Sequence, residues 1–101
     1  MTFGSKERAI MQFALNKHGV DKQADIAIEE MSELTKAIIK HRIYATAETY
    51  ANLVEEIADV MIMLEQIKYL LRISDTDINE IIEHKLNRQL ERIGAENGSC
   101  N

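Results

Sequence analysis

Apolar residues recur along the chain at intervals of three and four, in four blocks separated by short polar breaks. That period is the signature of amphipathic α-helix. The first block covers 5–18, where Ala9 and Phe13, flanked by Met11, Ala14 and Leu15, form a stripe. Ser5 offers an N-cap, and Gly19 stands just past His18, where a helix-ending glycine belongs. A second helix is expected from Asp21 to about Arg42, with Ala27, Met31, Leu34 and Ile38 toward the core. Residues 43–48 read as a connection, with Thr46 or Thr49 capping the next helix. The third block, to about Ile73, carries Leu53, Ile57, Val60, Leu64, Ile67 and Leu71, broadened by Met61, Ile62, Met63 and Leu70. A helix apolar on so much of its circumference is central or lies in a subunit interface. The polar break Ser74-Asp75-Thr76-Asp77 supplies several N-caps for a fourth helix, about 76–93, bearing Ile78, Ile81, Ile82, Leu86, Leu90 and Ile93. Gly94 is expected to close it, leaving a frayed tail over 94–101.

Composition agrees with this pattern. The chain has 101 residues, no Pro, no Trp and only four Gly, so nothing interrupts long helices and the core is aliphatic. The expected fold is a single all-α domain over 1–101, a four-helix, bundle-like protomer with its core at about 5–93. A domain this small, with so apolar a third helix, is expected to complete its core as a homodimer or homotetramer. The lone cysteine, Cys100, excludes an intrachain disulfide and fits a reducing, cytoplasmic location. No apolar leader stands at the N-terminus, and Asp59 and Glu65 interrupt the most apolar segment, so neither export nor membrane insertion is expected.

Charge singles out two places. Glu29-Glu30-Met31-Ser32-Glu33 and Glu55-Glu56-Ile57-Ala58-Asp59 each end in carboxylates at i and i+3, on one helix face about a turn apart. Setting aside the six acids of these repeats leaves 11 acidic against the 12 basic residues, so the net charge of −5 resides in the repeats. A nucleic-acid partner, which needs a basic stripe, is not expected. Lys36 can pair with Glu33, but no basic residue follows Glu56 or Asp59 within a turn. Acid clusters beside a buried stripe are unfavourable unless a cation neutralises them. Oxygen-only ligands suit a hard divalent ion, so Glu30, Glu33, Glu56 and Asp59 are the candidate ligands of magnesium, with manganese as a substitute. Two other metal readings fail. No histidine follows a glutamate by three residues, as a ferritin-like di-iron site requires. Asp75-Thr76-Asp77-Ile78-Asn79 opens like a calcium loop but places Glu80 at its glycine position and Leu86 at its bidentate glutamate.

Glu-Glu-x-x-Glu followed 22 residues later by Glu-x-x-Asp resembles the signature of the MazG-like, all-α nucleoside triphosphate pyrophosphohydrolases. The matching text is Ala27 to Leu34 and Leu53 to Met61, and Lys85-Leu86-Asn87-Arg88 is similar to the family's basic Lys-x-x-Arg element. The resemblance covers roughly residues 5–93. It implies magnesium-dependent cleavage of a nucleoside triphosphate, or its deoxy form, to monophosphate and pyrophosphate. It also implies dimers or dimers of dimers with the site completed between subunits. On that footing Glu30, Glu33, Glu56 and Asp59 hold the metal, and Glu29 orients or deprotonates the attacking water. Lys85 and Arg88 hold phosphates, although the same two cations also suit the C-terminal end of a helix dipole. Base-binding residues are not identified. Phe13, Tyr44, Tyr50 and His18 are the available rings, and Gln23 is either a base-edge amide or a solvated residue at the start of its helix. Two alternatives stand beside this reading: a phosphoribosyl-ATP pyrophosphohydrolase, and a non-catalytic helical interaction module.

Overall fold

The break that separates the first two helices is one residue long. Gly19 takes φ 83°, a left-handed conformation open to glycine, and its N–H donates to the Leu15 carbonyl at 2.9 Å. The computed structural model describes residues 3–99, with side chains to 95, and contains four helices and no strand among them. These are α1 (Ser5–His18), α2 (Val20–Tyr44), α3 (Ala47–Leu70) and α4 (Asp75–Ser99). Gly4, rather than Ser5, occupies the N-cap of α1, with no side-chain cap. Cys100 lies outside the described residues.

α2 and α3 fold back on one another through Ala45 and Thr46. Thr46 closes a reciprocal cap: its Oγ1 accepts the Thr49 N–H at 3.1 Å, and Thr49 Oγ1 accepts the Thr46 N–H at 2.9 Å. The His41 ring, 2.8 Å from Thr49 Oγ1 through Nδ1, ties the end of α2 to the first turn of α3. This hairpin holds most of the interhelical packing, and α1 lies across both arms. The core comprises Met11 and Leu15 of α1, Ala27 and Ala37 of α2, and Val60 and Met63 of α3.

That core departs from the sequence stripe. On α2 the fully buried residues are Ala27 and Ala37, each 1% exposed, whereas Met31 and Ile38 are largely exposed and Leu34 is half-buried. Small side chains let two helix backbones approach, and the longer residues beside them splay outward. On α3, Val60 and Met63 are buried, while Ile57 and Leu64 are exposed, as is Leu71 just past its end.

α3 ends earlier than expected, at Leu70, and the turn that follows is a Schellman motif. Arg72 takes φ 55°; its N–H donates to the Tyr69 carbonyl at 3.3 Å and the Ile73 N–H donates to the Lys68 carbonyl at 2.9 Å. Ser74 then caps α4, accepting the Asp77 N–H on Oγ at 3.1 Å. α4 runs through Gly94 to Ser99, so that glycine does not close the helix: an isolated glycine weakens a helix without breaking it.

No described residue of α4 comes within 8 Å, Cα to Cα, of another helix. Its base alone is tethered: Lys68 Nζ pairs with the Asp75 carboxylate, and Arg8 stands 3.9 Å from the same group. The radius of gyration is 17.5 Å, against about 13 Å for a compact chain of 100 residues. No helix among the described residues is long and apolar enough to cross a membrane.

Candidate metal centre

The antiparallel hairpin turns the two acid repeats toward each other. Glu30 on α2 and Glu56 with Asp59 on α3 are half-buried, and each offers a carboxylate oxygen within 4.8 Å of the others. Opposed oxygens on a magnesium ion at 2.0–2.1 Å stand about 4.2 Å apart, so this spacing matches a shared divalent ion. Glu33 is not in this tight group. Its carboxylate turns to Lys36, 3.4 Å away, the pairing expected from their spacing. It remains close enough for its charge to act on both Glu30 and Glu56.

The electrostatics are those of a site in need of a cation. Burial raises the pKa of Glu30 above the ordinary value of 4.5, and the charges of Asp59, Glu56, Glu29 and Glu33 raise it further. Glu56 is raised for the same reasons, burial first, then Asp59, Glu33 and Glu55. Glu56 Oε2 is buried with no hydrogen-bond partner among the described residues. A buried carboxylate oxygen without a donor is unfavourable by the full desolvation of that atom, and a divalent ion removes the penalty. The donor set therefore fits a hard divalent cation: all oxygen, clustered and, among the described residues, unneutralised by any basic residue at Glu56 or Asp59.

The remaining expected residues fall into two groups. Glu29 is exposed at the rim, one residue before Glu30 and near enough to act on its charge. Lys85 and Arg88 are exposed on α4, which approaches neither α2 nor α3, so one protomer does not bring them to the acids. Phe13, Tyr44 and Tyr50 are exposed, as is His18.

Two glutamines are buried beside this pattern. Gln23 is 4% exposed rather than solvated, and Gln66 is 6% exposed. Gln23 lies seven residues before Glu30 and Gln66 seven after Asp59, two turns along the same faces. That spacing from the acids was the available signal. Comparison with protein-family profiles, with curated proteins and with solved structures found no match.

Proposed function

We propose that this chain is a magnesium-dependent nucleoside triphosphate pyrophosphohydrolase of the MazG-like, all-α kind, at work in the cytoplasm. The observation that carries the reading is the convergence of Glu30, Glu56 and Asp59 around a buried, unpartnered Glu56 Oε2. Glu30, Glu56 and Asp59 hold the metal, with Glu33 able to join them by leaving Lys36. Magnesium, when bound, neutralises charge on the phosphate oxygens and polarises the attacking water. Glu29, at the solvent rim of the cluster, orients that water or takes its proton. Lys85 and Arg88 bind the phosphates and set their position.

Assembly follows from the last assignment. α4 exposes Ile81, Ile82, Leu86, Leu90 and Ile93 with no helix of its own chain against them. The hairpin carries an apolar groove of about 220 Å³, lined by Val20, Ala24, Ile28, Met31, Ile67 and Leu70 among others. Seating α4 of a second copy near such a groove covers both surfaces and gives Lys85 and Arg88 a route to the acids. The working unit is a homodimer or homotetramer.

The test is chromatography of the products formed from a panel of ribo- and deoxynucleoside triphosphates with magnesium. Monophosphate and pyrophosphate in equal amounts are expected. Orthophosphate as the first product, or no turnover of any triphosphate, would refute the reaction. Phosphoribosyl-ATP belongs in the panel, since exclusive turnover of that compound selects the alternative enzyme. Assembly is tested by mixing Asp59→Asn with Lys85→Ala protein. If the residues act across subunits, mixed dimers regain one intact site and recover roughly a quarter of wild-type activity.

A further inference from the structure

A sizeable cleft lies away from the acid cluster. About 510 Å³ in volume, it lies where α1 meets the end of α3 and the turn into α4. Its walls include Arg8 and Gln12 of α1, Gln66 and Tyr69 of α3, and Arg72 and Asp75 of the turn and α4. None of the candidate metal ligands lines it. Its volume lies in the range of pockets that enclose a drug-sized ligand, about 300–1,000 Å³.

The charges in this cleft are unevenly used. Lys68 is consumed, with Nζ 2.9 Å from Glu65 and paired also to Asp75. Arg8 stands 3.8 and 3.9 Å from those same two carboxylates, too far for a hydrogen bond. Arg72 has no carboxylate within ion-pair distance among the described residues. Three cations thus face two carboxylates, and two guanidinium forks keep donors to spare. The planar fork matches the oxygens of a phosphate or carboxylate in pairs, which an ammonium does not.

A second observation is independent of charge. Gln66 is nine-tenths buried at this cleft, and its side-chain carbonyl has no donor among the described residues. A buried acceptor left unpaired is destabilising, and native proteins rarely retain one without a partner or a role. Tyr69, largely exposed, adds a ring face to the same wall, beside the apolar Met11 and Ile73. An occupant that satisfies all three features carries an oxyanion for the forks, a flat ring for Tyr69 and an N–H donor for Gln66.

We infer that the cleft between α1, the end of α3 and the α3–α4 turn is a metal-independent binding site for a nucleoside monophosphate. The phosphate engages Arg72 and Arg8, the base stacks on Tyr69, and an amino or imino group of the base donates to Gln66. The Schellman turn is part of the wall, so binding also orders the segment that sets α4 on its base.

The inference stands apart from the magnesium chemistry and is tested without it. Adenosine and uridine monophosphates and inorganic phosphate are titrated calorimetrically against the full chain in EDTA. Saturable binding of at least one nucleotide is expected, at least tenfold tighter than phosphate, with hydrogen-exchange protection over 69–75. Arg72→Ala is expected to weaken it tenfold or more, and Glu56→Gln to leave it unchanged. Gln66→Leu removes the unpaired acceptor, so it is expected to raise the melting temperature of the free protein while weakening the nucleotide. Absence of binding in EDTA, phosphate binding as tight as nucleotide, indifference to Arg72→Ala or Gln66→Leu, or loss in Glu56→Gln would each overturn the inference. Failure of triphosphate hydrolysis leaves these readouts untouched.

Discussion

The α2–α3 hairpin and α4 make an instructive pair. α2 and α4 have the same length, 25 residues, and α3 has 24. All three carry apolar stripes at helical spacing, yet α2 and α3 are packed along each other while α4 stands away from both. Their stripes also differ in composition. α2 closes on its partner through Ala27 and Ala37, whereas the α4 stripe is all Ile and Leu from Ile78 to Ile93. A periodic stripe therefore states that a helix needs a partner. It does not say whether that partner is in the same chain.

Under the proposed function, the sharpest contrast between the two regions is catalytic. Asp59→Asn or Glu56→Gln removes a ligand from the hairpin, and activity is expected to fall by a factor on the order of 10²–10³. On the same proposal Lys85 on α4 contacts the phosphates in both ground and transition states, so Lys85→Ala should raise KM more than it lowers kcat. Steady-state kinetics on the three variants decide the matter. Wild-type kcat in Asp59→Asn would remove the hairpin from the reaction.

Stability should divide the same way. Met63→Ala empties a buried position of the hairpin, and denaturant unfolding should show a loss of about 2–4 kcal/mol. Leu86→Ala trims an exposed side chain, so at concentrations too dilute for assembly the loss should stay within about 0.5 kcal/mol. Sedimentation should instead show Leu86→Ala shifted toward monomer. A full core-sized loss from Leu86→Ala in a dilute monomer would mean that α4 folds onto its own chain.

Acidity offers a subtler probe of the hairpin. Glu30 and Glu56 titrate above their ordinary value of 4.5, raised first by burial and then by neighbouring carboxylates. The folded protein without metal thus takes up protons before the unfolded chain does. The resulting destabilisation is complete above the raised folded values and disappears below about 4.5, the unfolded value. It weakens as pH falls through the raised folded values toward 4.5. In EDTA, Glu56→Gln should therefore melt higher than wild type at pH 7, with the gap narrowing as pH falls toward 4.5. Magnesium should close or reverse the gap at neutral pH. The Lys68–Asp75 pair does not blur this window, because the lysine holds the Asp75 carboxyl below 3.8. A gap constant across the range would show that neither burial nor repulsion raises these carboxylates.

These contrasts explain how much could be read in advance. The four helices were legible because capping residues and 3.6-residue periodicity are local: Thr46, Ser74 and Gly19 stand where the caps and breaks are found. The acid pairs were legible because i,i+3 spacing fixes their face. Which acids converge was not. Glu33 has the same spacing as Asp59 but has Lys36 three residues on, and that local pair draws it from the cluster. Burial of Gln23 and Gln66 was also hidden, since polarity ordinarily places such residues outside and only tertiary packing overrides it. The place of α4 was the least legible, because nothing in its own sequence names its partner.

The smallest expected effect concerns the link that lets the hairpin close. Ala45 ends α2 at φ 48°, in the left-handed region, with its N–H donating to the His41 carbonyl at 2.8 Å. A residue with a Cβ is unfavourable there by about 1–2 kcal/mol. Glycine removes that strain, but it also gives the unfolded chain more freedom, which offsets about 0.4–1 kcal/mol of the gain. Ala45→Gly should therefore raise stability by roughly 0.5–1 kcal/mol, read as a higher denaturant midpoint with an unchanged slope. Arg72 occupies the same region at φ 55° in the turn before α4, so Arg72→Gly relieves the same strain. There the gain should be smaller, because the helix that follows is held by one ion-paired turn and frees little packing energy when it moves. Equal gains at the two sites would mean that α4 is as firmly coupled to the core as the hairpin is. A loss at Ala45 would mean that its strain is balanced by contacts of its methyl group.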